Sequence, residues 1–480
     1  MSHPLIIQGG MGVAVSGWRL ARAVSELGQL GVVSGTALDA VLARRLQLGD
    51  PDGVLRNAAA AFPVPGVADR ILDRYLVPGG KQPEDRYVRS PMGSLRPSAH
   101  LLELLVLASF VEVWLAKRGH QNPVGINFLE KIQAPTLPAL YGAMLAGVDY
   151  VLVGAGIPRA FPGILDGLAD GRPVEMRLDV KGAGSEVDTL LRFDPSAFCG
   201  GDALSVRRPI FLAIVSSHVL ATMLARRIDP PADGFVVEYP TAGGHNAPPR
   251  AREGLNDRGE PVYGEKDAPD LAVIRDLGLP FWLAGSQATP EALSEALANG
   301  ATGIQVGTAF AYCEESGLRS DIKARVIRAS LRGEAEVFTD PTASPTGFPF
   351  KLVQLAGTLT DENVYTDRIR SCDLGYLRSA FIDKKGRQRW RCPAEPVDDY
   401  ERKGGDPTDT EGRKCLCNAL MANIGLAQTL EDGTSEPMLV TSGDDVRDVA
   451  RFLPPGASTY TANNVIQYLL GDSPSQVTSS

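Results

Sequence analysis

Apolar residues in this chain come in short runs, and most runs stop at a glycine or a small polar residue. Eight recur in order, at residues 5–8, 31–34, 124–128, 150–153, 210–215, 235–238, 281–284 and 303–306. Such runs carry almost no polar alternation, which predicts strands buried on both faces. Segments 18–27, 135–145, 219–227, 270–277 and 290–298 lie between them and place apolar residues with a helical period. Buried strands alternating with helices predict a parallel sheet. Eight strands, several ending in glycine, predict an α/β fold of the closed (β/α)8 TIM-barrel type. No G-x-G-x-x-G opens the first helix, as an open dinucleotide-binding sheet would require.

Two stretches interrupt the alternation. Residues 38–119 exceed what one crossover needs, so extra helices and a Pro/Gly-rich loop around 77–97 are expected. Residues 174–205 read as a strand or hairpin before the fifth barrel strand. After about residue 345 the glycine-ended runs stop and charged, hairpin-like text such as 381–390 takes over. The chain therefore divides into a barrel over 1–345, a cysteine-bearing appendage over 346–472 and a disordered tail at 473–480. The 38–119 insertion and the appendage are expected to roof the barrel mouth.

Charge and composition narrow the class. The 480 residues hold 48 Lys and Arg against 57 Asp and Glu, a formal net charge of −9, and no basic block that could track a phosphate backbone. Nucleic acid is not an expected partner. The most apolar stretch, 101–116, is interrupted by Glu103 and Glu112 and reads as too short and too charged to span a bilayer, so no membrane partner is expected. No charged segment followed by an apolar one opens the sequence. Six cysteines without an export signal suit a reduced, cytoplasmic protein.

The candidate chemistry lies where the strands end. Gly9-Gly10-Met11-Gly12 follows the first strand, where glycine lets backbone approach a flat ligand and Met11 adds a soft apolar contact. Asn127 ends the third strand with an amide that both donates and accepts. The segment from Glu238 to Asn246 follows the sixth, and its Gly243-Gly244-His245 places an imidazole at the barrel mouth. An ordinary imidazole pKa suits proton abstraction there. Gly285-Ser286-Gln287 and Gly307-Thr308 follow the last two strands, whose loops often bind phosphate. A ring end and a phosphate end together fit flavin mononucleotide (FMN).

The order QGGMG, GIN, VGAGIP, AGGHN, AG-x-x-x-x-P and GIQVGTAF resembles the nitronate monooxygenase family, also called 2-nitropropane dioxygenase-like, over about residues 4–320. The opening segment is also similar to FMN-dependent enoyl-acyl-carrier-protein reductases. The resemblance implies that Met11, Asn127, Gly243, Gly244, Gly285, Gln287, Gly307 and Thr308 hold FMN and that His245 is catalytic. Gly10, Glu238 and Ser286 lie in the same segments and join the cofactor set. The chain departs from the family where Gln commonly stands seven residues before the histidine and Glu four before it. Here those positions are Glu238 and Thr241, which bears on substrate preference.

Two activities follow as expectations: oxidation of alkyl nitronates with oxygen, or NAD(P)H-dependent reduction of an enoyl thioester on a carrier protein or coenzyme A. A non-enzymatic binding module is the third alternative. The partner is then a small molecule or an acyl thioester, and a homodimer contact through the additions is compatible with either. Cys372, Cys392, Cys415 and Cys417 could form a structural zinc site, although neither half has a C-x2-C knuckle. Unliganded thiols or an iron–sulfur centre are the alternatives.

Overall fold

The computed structural model describes residues 3–184, 186–250 and 254–471. The expected tail at 473–480 lies outside the described residues. The eight apolar runs become one closed parallel barrel: β1 (Ile6–Gln8), β2 (Leu30–Ser34), β3 (Val124–Leu129), β4 (Tyr150–Gly154), β5 (Ile210–Val215), β6 (Gly234–Glu238), β7 (Phe281–Ala284) and β8 (Gly303–Val306). Each strand pairs with its sequence neighbours, and β8 returns to β1 with Gln8 opposite Val306. The fold is a (β/α)8 TIM barrel.

The strands lack polar alternation because each serves two cores. Ile7, Val32, Leu152, Leu212, Val236 and Trp282 fill the barrel, while Ile6, Val33, Ile126, Val151, Phe211 and Val237 face the surrounding helices. Trp282 closes the N-terminal end. Its indole N–H donates to the Pro4 carbonyl at 2.9 Å, and the His3 ring meets it edge-on at 5.6 Å. His3 Nδ1 in turn lies 3.2 Å from the Tyr150 hydroxyl.

The 38–119 insertion forms helices Leu38–Gln47, Val54–Ala60, Val67–Tyr75 and Ala99–Lys117. Ser98 caps the last of these, accepting from the Leu101 amide. The reading of 101–116 as too short and too charged to cross a bilayer needs correction, because the helix is 19 residues long and apolar enough by length and composition. Its charges sit where they are neutralised. Glu103 pairs with Arg70 at the surface, and the buried Glu112 accepts from the Trp18 amide at 3.0 Å and from Arg45. In this fold 72% of its most apolar window is buried, against helices Trp18–Glu26, Leu38–Gln47 and Thr136–Leu145. Gly142 permits the closest of these approaches, since a Cβ there would stand 2.1 Å from the Val106 carbonyl oxygen.

Strands Val174–Arg177 and Leu190–Phe193 form an antiparallel hairpin before β5. Beyond the barrel, Val337–Asp340 pairs with Phe350–Val353, so residue 345 lies in the turn of a hairpin. A second hairpin, Ser379–Ile382 with Gln388–Arg391, adds Val180–Lys181 as a third strand. The final helix, Ala462–Leu470, packs on Trp18–Glu26 and Pro290–Ala298. Val440, Val446, Phe452 and Ile466 share one apolar cluster with the barrel and its helices.

Candidate active site

The loops after the strands surround a cavity of about 230 Å³ at the C-terminal mouth. Gly10, Met11, Asn127, Glu238, Gly243, Gly244, His245, Gly285, Ser286, Gln287, Gly307 and Thr308 all line it. The barrel thus brings together every cavity residue singled out from the sequence.

The first loop is set by buried Gln8, whose side chain donates to Ser16 Oγ and accepts from the Val32 amide. Ser16 Oγ accepts from the Met11 amide and donates to the Gly9 carbonyl. This fixes Gly10 against Asn127: the amide Nδ2 donates to the Gly10 carbonyl at 3.1 Å, and a Cβ on Gly10 would fall 2.2 Å from Asn127 Oδ1. That oxygen is buried and meets no donor among the described residues, and Gln305 Oε1 on β8 is in the same condition. Both residues line the cavity, and buried acceptors left without a donor are uncommon in folded proteins.

At the opposite end, Gly285 has φ +96° and lies 3.0 Å, by its hypothetical Cβ, from the Tyr239 carbonyl oxygen. Gln287 donates back to the Gly285 carbonyl and stiffens the loop. Thr308 Oγ1 accepts from the Gly443 amide at 2.9 Å, and Thr441 Oγ1 accepts from the Gly244 amide at 3.1 Å. The appendage segment 441–445 is therefore laid over the β6 and β8 loops, so closely that a Cβ on Gly243 would meet the Gly443 nitrogen at 2.6 Å. Asp445 from this segment also lines the cavity. Burial raises its carboxyl above the usual range, against the pull of Arg451 and Ser286.

His245 is held by three contacts from beyond residue 340. Its Nε2 lies 2.7 Å from Ser344 Oγ, its ring meets Phe350 edge-on at 4.7 Å, and its backbone bridges to Phe350. Ser344 is bonded onward to Thr346 Oγ1 at 2.8 Å. Burial, with the Lys131 cation nearby, lowers the imidazole to about 4, so it is neutral at neutral pH. Glu238 is pushed the other way, to about 7, by burial alone. What exposure it retains is to the cavities on either side of it.

The roof comes from the appendage, through Phe350, Tyr376, Leu377, Leu416, Leu420 and the 441–445 segment. The 38–119 insertion instead helps to line a second cavity of about 190 Å³, which shares Tyr376 and Leu377 with the first. The zinc expectation is corrected: among the described residues no group of three or more His, Cys, Asp or Glu could hold a metal ion. Cys415 stands at the N-cap of helix Leu416–Asn423 and packs with Cys392 and Ala394, while Cys417, in its first turn, lines the cavity; the four thiols lie near enough to raise one another, but among the described residues no three meet as a ligand group. All four are free thiols, and burial pushes each of them up, Cys372 to about 12.

Fold and cavity together define a (β/α)8 barrel with a roofed ligand site at its C-terminal mouth. No family model and no curated protein matches the chain. Solved structures do. The enoyl reductase domain of MlnA, from the macrolactin biosynthesis cluster of Bacillus amyloliquefaciens, aligns with a TM-score of 0.51 at 11% identity, covering 98% of this chain and 94% of that one. FabK from Thermotoga maritima gives 0.46 at 16%, covering 98% and 93%. A nitroalkane oxidase from Streptomyces ansochromogenes gives 0.45 at 15%, covering 98% and 95%. At such identities the likeness is one of fold.

Proposed function

We propose that the chain is an FMN-dependent oxidoreductase of nitronate monooxygenase type, oxidising alkyl nitronates or related small substrates with oxygen. The observation that carries this reading is the meeting of a neutral, half-buried imidazole with a glycine-walled cavity at the barrel mouth. The residues fit a flavin. Gly10 and Gly243 let the loops pack as tightly as Asn127 and Gly443 demand, and the Asn127 and Gln305 side chains, each with an unpaired amide oxygen, line the same cavity and would stand beside the ring. The loops of Gly285–Gln287 and Gly307–Thr308 would hold the phosphate. Bound there, the flavin would supply the electron acceptor.

His245 does the proton work. When Ser344 donates to Thr346, it accepts from His245 Nε2–H and leaves the Nδ1 lone pair free. That nitrogen takes the acidic α-proton of a neutral nitroalkane, whereas a preformed nitronate needs no such step. Phe350 and Ser344 hold the ring in place, and the roof limits water. Oxygen uptake by the FMN-loaded protein is expected with propionate 3-nitronate or a simple nitroalkane, and no uptake on any of them rejects the reading.

A second reading, NAD(P)H-dependent reduction of an enoyl thioester, is favoured by the adjoining cavity beyond Tyr376 and Leu377, which gives a long substrate somewhere to lie. Rapid flavin bleaching by NADH or NADPH would select it.

A further inference from the structure

Glu238 is the last residue of β6 and lines two cavities at once. One is the main cavity. The other is a chamber of about 50 Å³ behind the strand, lined by Ser216, Tyr239, Asn246, Arg250, Tyr263 and Asp267 among others. The side chain forms no ion pair or hydrogen bond among the described residues that draws its carboxyl down; burial alone sets it. The chamber is polar and well ordered by its own contacts. Arg250 donates to the Ser216 carbonyl at 2.8 Å, and its amide donates to Asp267 Oδ1. Asn246, which lines the chamber, has a buried Oδ1 without a donor among the described residues.

Resting on the flavin reading, we propose that Glu238 is the proton-exchanging residue of the cofactor cavity: it takes up a proton through the chamber behind β6 when FMN enters. The physical cause is twofold. A ring filling the cavity strips water from the carboxylate, and the ligand's phosphate brings negative charge, and both disfavour the ionised form. Proton uptake then appears as a linkage between binding and pH.

Of the other groups facing this carboxyl, those displaced from their ordinary values lie outside its window, with one exception. Across the main cavity stand His245, lowered to about 4, and Tyr376 and Cys417, both held high by burial. In the chamber stand Tyr239 and Tyr263, both raised, and Arg250, whose backbone amide donates to Asp267 Oδ1. Asp445, at the phosphate end, is the exception, since its carboxyl is also raised.

The experiment is calorimetric titration of the full-length apoprotein with FMN at pH 8, in two buffers of different ionisation heat, for wild type, Glu238→Gln and Asp445→Asn. Wild type is expected to take up on the order of one proton per FMN. Asp445→Asn should keep that uptake and Glu238→Gln should lose it, at whatever affinity each variant binds FMN. Tight binding by wild type without proton uptake overturns the inference while leaving the flavin reading intact, and this outcome needs no variant to fold. Uptake that survives Glu238→Gln and disappears in Asp445→Asn assigns the proton to the phosphate end and also overturns it. Absence of FMN binding by wild type overturns both.

Discussion

The two ends of the barrel use similar residue types to opposite effect. At the N-terminal end Trp282, His3 and Tyr150 are polar-tipped aromatic groups, and each tip has a protein partner. At the C-terminal end Asn127 Oδ1 and Gln305 Oε1 have none, and the Glu238 carboxyl faces open space on two sides. A satisfied polar group adds stability, whereas an unsatisfied buried one costs roughly 1–3 kcal/mol. The mouth therefore carries a cost that a ligand can relieve. Closure belongs to the bottom of this barrel and recognition to its top.

Substitutions at the two ends should separate accordingly. The largest effect is expected at the mouth, where His245→Ala should lower kcat/KM for a neutral nitroalkane by roughly 10²–10⁴-fold while the flavin spectrum persists. Oxygen-uptake kinetics measure this. In wild type the base must be unprotonated, so kcat/KM should fall as pH drops through about 4 and stay level above that acid limb. An acid limb near the ordinary histidine value would show that the imidazole is not buried in the working enzyme.

At the bottom, Trp282→Ala should cost about 3–5 kcal/mol in denaturant unfolding and leave FMN affinity unchanged in the folded protein. Gly10→Ala tests the reverse. It forces a methyl group against Asn127, at a cost of about 1–3 kcal/mol, which should appear as roughly five- to 150-fold weaker FMN binding. The smallest effect belongs to Ser344→Ala. Loss of one hydrogen bond to His245, worth about 0.5–1.5 kcal/mol, should lower kcat/KM roughly two- to tenfold without changing FMN affinity.

The barrel was legible in the sequence because parallel strands buried on both faces leave uninterrupted apolar runs, and because their C-terminal ends need glycine where ligand or backbone comes close. Gly10, Asn127 and His245 were legible for the same reason. The roof was not. Ser344, Phe350 and the 441–445 segment reach the site across about 100 to 200 residues of chain, from loops with no periodic signal. Two of the missed groups did leave a trace. Gln305 is an amide inside an otherwise apolar strand, and Thr441-Ser442-Gly443 repeats the small hydroxyl-and-glycine chemistry of the barrel loops. The cysteines misled because nearness is not ligand geometry: the four thiols are close enough to raise one another, yet among the described residues no three form a group that could hold a metal ion.

All of these effects depend on the mouth of the barrel being a flavin site. The direct measurement is the visible spectrum of the purified protein after incubation with FMN and removal of free ligand. The expected result is a bound-flavin spectrum near one FMN per chain, bleached anaerobically by a nitronate and weakened in Gly10→Ala. A colourless protein that cannot be reconstituted would contradict the account.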